Sequence, residues 1–223
     1  MSNERLNRIF GIGPKKLLEL KRYHNITNIT TLRNYVKKFP DLLTDSQKLG
    51  LKYYKYLKKK IPYKEAVEHM KFISKTIKGT IPTGSFRRER PLLNDLDIIT
   101  VVPIDKVIEL LIKKGYIIDV LHKGEINATV LVVLGDNIRQ LDIFFTTKAN
   151  IIYTLLYTTG NKLFNIYTRK IAKKMGYSLS QNGMLHIKTN KYITSMSTEK
   201  DIFKFLKIEY LEPKNREIIN TAI

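Results

Sequence analysis

The spacing of apolar and polar residues changes along the chain. In residues 1–61 the apolar residues recur at helical spacing, and the stretches Lys15 to Tyr23 and Gln47 to Lys60 each predict a helix. Ile61-Pro62 marks a boundary, because the residue before a proline disfavours helical backbone. We therefore predict a first block made of short helices.

The middle of the chain, residues 62–147, combines a helix with strands. Helical spacing covers Tyr63 to Ile77. Three strands are predicted over Leu92 to Val102, Ala128 to Leu134 and Ile138 to Phe145. The last two flank Gly135-Asp136-Asn137, which predicts a hairpin turn.

Residues 148–223 are predicted to form a small α/β cap. Leu155 to Met175 predicts one core-facing helix, and Tyr177 to Ile193 predicts short strands. A further helix is predicted over Thr198 to Phe205, opened by Ser197 or Thr198. The expected fold class is α+β, with a helical block, a mostly antiparallel sheet with helices on one face, and this cap.

The net charge of the chain indicates the kind of partner that it binds. The chain of 223 residues has a net charge of +20, and its distribution is uneven: +11 over residues 1–60, +1 over 61–147 and +8 over 148–223. Two basic flanks around a near-neutral middle indicate a surface that grips a polyanion such as DNA. A generally lysine-rich chain is the alternative explanation.

Composition excludes several other classes. The absence of cysteine rules out a disulfide framework and a thiolate metal site, and fits an intracellular protein. Apolar runs such as Ala128 to Leu134 are too short to span a bilayer, and the first residues lack the pattern of a signal peptide. We expect no membrane partner.

The first block contains a candidate phosphate-binding turn. Gly11 and Gly13 permit a tight turn, and the helix after Pro14 presents free amide groups beside Lys15 and Lys16. This pattern is typical of a helix-hairpin-helix, which binds the DNA backbone. A helical corner without a ligand would leave the same glycines, but the lysines interleaved with tyrosines before Lys60 favour phosphate contact.

Three aspartates are the candidate catalytic residues. Asp95 and Asp97 are two apart in a predicted strand and would share one face, and Asp142 is a lone acid in another apolar strand. Clustered carboxylates are tolerated best around divalent cations, and three can hold two Mg²⁺ ions about 4 Å apart. Nearby, Gly84 and Ser85 provide backbone amides and a hydroxyl, and Arg88 a charge, that suit a polyphosphate.

Six segments, in this order along the chain, resemble motifs of the family X DNA polymerases, the polymerase beta group: GIGPKK, TDSQKLGLKYYKYLKKKIP, GSFRRERPLLNDLDI, RQLDIFF, LLYTTGNKLFNIYTRKIA and EKDIFKFLKIEYLEPKNRE. The third is especially similar to the reduced polymerases of large DNA viruses. The resemblance implies a helix-hairpin-helix DNA-binding subdomain over 1–61, a nucleotidyltransferase palm over 62–147 and a nucleotide-selection subdomain over 148–223.

The resemblance also implies individual roles. Asp95, Asp97 and Asp142 would bind two Mg²⁺ ions, with Mn²⁺ as an alternative. The residues implied to contact the nucleotide are Lys60, Gly84, Ser85, Arg88, Tyr157, Gly160, Asn161, Lys162 and Asn165. Those implied to contact DNA are Gly11, Gly13, Lys15, Lys16 and Arg169, while the backbone carbonyls of Asn7, Ile9 and Ile12 would hold a monovalent cation.

The chain departs from the family pattern at several positions. Thr158 replaces an aromatic residue and Lys162 an acidic one, while Gln140 and Phe144 replace arginines beside the third aspartate and Glu89 replaces a glycine. The first residues precede the hairpin motif directly, so neither the family's N-terminal lyase domain nor its lyase activity is expected.

The expected activity is template-directed gap filling in DNA repair, including base excision repair, by a monomer that binds gapped or primer-template DNA and dNTPs. A template-independent nucleotidyltransferase and a non-catalytic DNA-binding protein are the alternatives. The expected compartment is the nucleus or a viral replication site of an infected cell, with packaging in the virion as a further alternative.

Overall fold

A computed structural model describes residues 5–217 of the chain. The first part is helical, with a 3-10 turn over Leu6–Arg8 followed by α1 (Pro14–His24), α2 (Ile29–Lys38), α3 (Asp45–Lys52) and α4 (Tyr54–Leu57). Side-chain caps fix two helix starts: Asn28 accepts a hydrogen bond from the Thr31 amide, and Thr44 and Gln47 form a reciprocal capping box. The apolar faces of these helices meet in one hydrophobic cluster.

The single helix predicted over Gln47 to Lys60 is wrong. α3 ends at Lys52, because the backbone at Tyr53 (φ −93°, ψ 6°) leaves the helical region, and the short α4 follows. The Tyr53 hydroxyl donates to Asp119 at 2.6 Å, and the Ser46 hydroxyl donates to the Leu121 carbonyl at 2.5 Å. The helix thus breaks where Tyr53 contacts a strand that is distant in the sequence. The apolar spacing of the segment gives no sign of this contact.

The middle part is a sheet covered by helices on one face. Its elements are β1 (Ile61–Pro62), α5 (Tyr63–Thr76), β2 (Ile81–Pro82), α6 (Gly84–Arg87), β3 (Leu92–Leu93), β4 (Leu96–Thr100), α7 (Ile104–Lys113), β5 (Ile117–Lys123), β6 (Asn127–Leu134) and β7 (Asn137–Phe145). Five strands form one sheet in the order β2-β4-β7-β6-β5. Only the β4–β7 pair is parallel, so the mostly antiparallel sheet is confirmed. α5 and the β6–β7 hairpin are confirmed too, whereas α7 and β5 were not identified in the sequence.

The strand predicted over Leu92 to Val102 is interrupted. β3 pairs with β1 in a separate two-stranded sheet, the chain bends at Asn94 and Asp95, and β4 then enters the main sheet. Leu93 packs beside Ile61 on one side of the bend, and Leu96 starts the main sheet on the other. Asp95 therefore lies before the strand that contains Asp97.

The last part contains α8 (Ile151–Thr159), α9 (Lys162–Lys174), β8 (Tyr177–Ser180), β9 (Gly183–His186), β10 (Lys191–Tyr192) and α10 (Glu199–Phe205). The single helix predicted over Leu155 to Met175 is wrong, because Gly160 (φ +66°) ends α8 and Asn161 caps α9 by accepting from the Phe164 amide at 2.9 Å. The short strands and the helix opened by Thr198 are confirmed. No helix within residues 5–217 is long and apolar enough to cross a membrane.

A buried ion network joins the middle and last parts. Glu199, at the start of α10, accepts hydrogen bonds from Arg87 of α6 at 2.5 Å and from Arg216 at 2.9 Å. Arg216 is fully buried and its charge has no contact with solvent. Burial alone would raise the pKa of Glu199, but the two arginines outweigh it, and the pKa lies below the ordinary value of 4.5.

We predict that Gly50→Ala destabilises the protein although Gly50 lies inside α3, where alanine is normally the better helix former. A Cβ at this position would lie 2.7 Å from the Phe10 carbonyl oxygen and 2.9 Å from its side chain. The free energy of unfolding in urea should fall by about 1–3 kcal/mol. The control is Gly13→Ala, where a Cβ meets nothing within 4 Å. An unchanged or higher stability of Gly50→Ala would contradict the packing.

Glu199→Gln is expected to lower the free energy of unfolding by about 3–5 kcal/mol near pH 7, because it leaves buried arginine charge uncompensated. Since the folded pKa is depressed, this stabilisation is present above the unfolded value and is lost as the pH falls through the folded one, so the difference between wild type and variant should be smaller at an acidic pH below 4.5 than near pH 7. Urea denaturation at both pH values measures this. The control, Glu109→Gln, removes only an exposed pair with Lys106 and should cost less than about 1 kcal/mol. A constant difference at both pH values would rule out the linkage.

Candidate active site

Strand alternation places the candidate carboxylates on the uncovered face of the sheet. Leu96, Ile98, Leu141 and Ile143 point into the cluster formed with α5 and α7. Asp97 and Asp142 alternate with them and are directly paired across β4 and β7, so both point to the opposite face. Asp95, in the bend before β4, joins them there. Each of the three is partly buried.

The charges of these carboxylates affect one another's pKa values. Burial raises the pKa of Asp97 well above its ordinary value, and the charges of Asp95 and Asp142 raise it further, against the opposing charge of Arg88. Burial also raises the pKa of Asp142 to about 6, although hydrogen bonds from Thr129 and Gln140 oppose the rise. Like charges are therefore concentrated at this point, and a cation would relieve their repulsion.

The residues fit a divalent cation by their chemistry. Three carboxylates are the hard oxygen donors that Mg²⁺ prefers. Gly84 keeps space for Asp97, since a Cβ there would lie 1.8 Å from the Asp97 Oδ2 atom. Within residues 5–217, no group of three or more His, Cys, Asp or Glu side chains is already arranged to hold a metal ion.

A cavity of about 540 Å³ adjoins the carboxylates and brings together most residues predicted to bind the nucleotide. Its lining includes Gly84, Ser85, Arg88, Asp95, Asp97, Tyr157, Gly160, Asn161, Lys162, Asn165 and Arg169. Asp142 and Lys60 lie outside this lining. Lys60 donates a hydrogen bond to Asn94. Burial raises the pKa of the neighbouring Asp95, and the charge of Lys60 opposes part of that rise.

Ser85 and Arg88 of the cavity differ in how far their polar groups already have partners. The Ser85 hydroxyl is buried and has no hydrogen-bond partner among the described residues. The Arg88 guanidinium donates through Nε to Glu217 at 2.6 Å and through Nη1 to the Thr159 carbonyl, and the Asn161 amide donates to Glu217 at 3.3 Å. Arg88 and Asn161 thus already share one carboxylate. Sequence reasoning missed Glu217, for which no local signal exists.

The residues expected to contact the bases form a second group on the cavity wall. Asn165 donates from its amide to the Tyr157 carbonyl at 2.7 Å. The Arg169 guanidinium lies 5.0 Å from the centre of the Tyr157 ring. Their four-residue spacing in α9 puts both side chains on the face turned to α8 and the cavity. Thr158 shares a hydrogen bond of 2.8 Å with Thr83 of the middle part.

The predicted hairpin lies between the 3-10 turn and α1. Gly11 has a φ of +79°, and its carbonyl accepts from the Gln47 side chain at 2.8 Å. Gly13 is the N-cap residue of α1 and Pro14 its first residue. Lys15 is exposed at this helix start, whereas Lys16 pairs with Glu19 at 2.6 Å.

The predicted monovalent-cation site lies on the same turn. The Ile9 carbonyl accepts from the Ile12 amide at 3.1 Å, which leaves one lone pair of this oxygen for an ion. The roles assigned to Asn7, Ile9 and Ile12 stay predictions.

Comparison with known proteins identifies the family. Residues 154–217 match the family model of the DNA polymerase beta thumb. The chain is 30% identical over 171 residues to the Repair DNA polymerase X of African swine fever virus (isolate Tick/South Africa/Pretoriuskop Pr4/1996), an alignment that covers 75% of this chain and 96% of the viral protein. It is 28% identical over 206 residues to DNA polymerase lambda of Rattus norvegicus, covering 78% of this chain and 36% of that protein.

Solved structures share the fold of this chain. The ternary gap complex of Leishmania infantum polymerase beta superposes with a TM-score of 0.89 at 22% identity, covering 96% of this chain and 89% of that one. Its ternary P/T complex superposes with a TM-score of 0.86, covering 95% and 96%. Together with the nearly complete coverage of a viral relative at 30% identity, this shows that the chain belongs to the family X DNA polymerases.

Proposed function

We propose that this DNA polymerase fills short gaps in DNA under repair, and that it joins each nucleotide to a primer 3′-hydroxyl with the help of two Mg²⁺ ions, or of Mn²⁺ in their place. The observation that carries the proposal is the position of Asp95, Asp97 and Asp142 beside a cavity that also contains Arg88 and Asn165. The viral relative is a repair DNA polymerase by name, which supports the proposed role in DNA repair.

In this proposal each part of the chain has one task. The hairpin block (1–61) binds DNA through the amides of Gly11 and Gly13, through Lys15 and Lys16, and through a monovalent cation on the carbonyls of its first turn. The palm (62–147) performs the chemistry, and residues 148–223 select the nucleotide. The three separate hydrophobic clusters support this division.

The side chains of the cavity would act on the nucleotide as follows. Asp95, Asp97 and Asp142 hold the Mg²⁺ ions, which when bound would favour the 3′-alkoxide and neutralise the triphosphate. The unpartnered Ser85 hydroxyl and Arg88 orient the triphosphate, so that the 3′-oxygen attacks the α-phosphorus and pyrophosphate leaves.

The remaining wall residues would select the nucleotide. Tyr157 and Gly160 bound the sugar, while Asn161 and Lys162 add an amide and a charge beside the phosphates. Asn165 reads the incoming base, and Arg169 contacts the templating base. Lys60 lies near enough to Asp95 to affect its pKa and would contact a phosphate. An infected cell, in its nucleus or at a viral replication site, is the compartment that the viral relatives favour.

The test is insertion of a single dNTP into a one-nucleotide gap with Mg²⁺, compared with a substrate that lacks the template. We expect template-dependent insertion by the wild type and a loss on the order of 10²- to 10³-fold in Asp142→Ala, because electrostatic stabilisation of the transition state is removed. Asp136→Ala is the matched control, since it removes an exposed acid from the turn of the same hairpin. Extension without template, or equal activity of Asp142→Ala and Asp136→Ala, would refute the assignment.

Gly84→Ala tests the space kept for Asp97. A Cβ would overlap the carboxylate, so Asp97 must move, and the insertion rate should fall on the order of 10²-fold. The control is Gly79→Ala, which has a similar φ (+78° against +60°) but meets nothing within 4 Å. Both variants strain the backbone, and only the first displaces the carboxylate. Equal losses in the two would show that backbone strain alone is responsible.

A further inference from the structure

A basic groove lies between α2 and the α3–α4 segment, apart from both the cavity and the hairpin turn. We call it the α2–α3 groove; its volume is about 640 Å³. Five cationic residues line it: Arg33, Lys37, Lys48, Lys52 and Lys55. No acidic residue does, and Val36 and Leu51 contribute apolar surface. The groove therefore combines strong positive charge with a concave shape.

Helix geometry explains why these cations converge. Arg33 and Lys37 are four residues apart on α2, and Lys48 and Lys52 are four apart on α3, while Lys55 follows on α4 after the break at Tyr53. The opposite face of α3 is occupied, because Ser46 and Tyr53 attach it to β5. Lys48 and Lys55 therefore line the groove beside α2, whereas Lys52 lines it and also reaches Asp119 of β5.

The charges of the groove are poorly neutralised within the protein. Within residues 5–217, no ion pair is formed by Arg33, Lys37 or Lys55. Lys48 forms an exposed pair with Asp45 at 3.2 Å, and the exposed Lys52 pairs with the partly buried Asp119 at 3.5 Å; such pairs at the surface are weak. Cations held together in this way repel each other, and a polyanion would relieve that repulsion.

We propose that the α2–α3 groove binds the backbone of single-stranded DNA, as a site separate from the hairpin. The groove, at about 640 Å³, has the volume of a site for a drug-sized ligand, so the gap between the helices admits only a short stretch of chain. One strand fits such a gap and a duplex does not. The lining contains no aromatic side chain for base stacking, so binding is independent of sequence and sensitive to salt.

The site extends the grip of the enzyme beyond the paired DNA. The occupant is an unpaired strand that leaves the duplex, either template or displaced strand, because both offer the same phosphodiester chemistry. The inference does not depend on gap filling, since it concerns binding and is measured without nucleotide.

The test compares two triple variants that remove the same charge. Arg33→Ala/Lys37→Ala/Lys55→Ala empties the groove of its unpaired cations. Lys71→Ala/Lys75→Ala/Lys113→Ala removes three exposed cations from α5 and α7, on the covered side of the palm sheet. Binding is measured by fluorescence anisotropy over a range of salt, on a blunt gapped duplex and on the same duplex with a single-stranded template overhang or a displaced 5′ strand. Thermal melts check that both variants are folded.

We expect that adding either unpaired strand to the gapped duplex increases the affinity of the wild type for it. Only the groove variant should lose this increase. For the substrates with an unpaired strand, the slope of log K against log salt should fall by about 0.7 for each phosphate that the groove no longer neutralises, or by roughly 2 in total. A gain with one strand type only identifies it as the occupant. Equal losses in both triple variants, equal losses on the blunt duplex, or no effect of an unpaired strand would each overturn the proposal.

Discussion

Repulsion between carboxylates on one face of the palm sheet is the constraint on which the rest of the structure depends. The parallel pairing of β4 and β7 sets Asp97 beside Asp142, and the apolar residues between them are committed to the helices on the other face. No rotation of a strand can separate the acids without exposing the core. Burial raises the pKa of both Asp97 and Asp142, and the charge of Asp95 raises both further. The positive charge of Arg88 opposes the rise in the pKa of Asp97.

The distribution of charge follows from that constraint. The middle block is almost neutral although it contains the acids, whereas the flanking blocks carry +11 and +8. Cations close to the carboxylates, such as Arg88, lower their pKa and would compete with a metal if they were more numerous. Most of the basic residues are therefore placed at a distance, where they attract DNA without occupying the catalytic face.

Two neighbouring arginines of the short helix α6 show how the blocks are joined without obstructing the site. Arg87 turns toward buried Glu199 and Thr159, and so fixes the last part against the palm. Arg88 turns to the cavity, where Glu217 and the Thr159 carbonyl hold it beside Asn161. The two adjacent arginines, the last residue of α6 and its C-cap, thus contact different parts of the structure.

The sequence predicted those features that depend on local periodicity. The β6–β7 hairpin, α5, the cap of α10 and the proximity of Asp95 and Asp97 all follow from spacing or capping residues. Features set by distant contacts were not predictable. Tyr53 breaks its helix where it docks on β5, and the partners Glu199, Arg216 and Glu217 are far from the arginines and acids that they contact. The parallel pairing of β4 with β7 likewise needs the whole sheet.

The same long-range contacts connect DNA binding to chemistry. Gln47 bonds to Gly11, and Gly50 packs on Phe10, so the hairpin and α3 form one unit. That unit is attached to β5 through Ser46 and Tyr53, and β5 belongs to the sheet that bears the carboxylates. Phosphates bound by the first block, as proposed above, would therefore lie at a fixed distance from Asp97 and Asp142. A polymerase needs this fixed distance, because a primer end displaced by about 1 Å loses much of its reactivity. In the proposed function, the contacts of Ser46 and Tyr53 with β5 would thus position the primer without any direct contact with the reacting atoms.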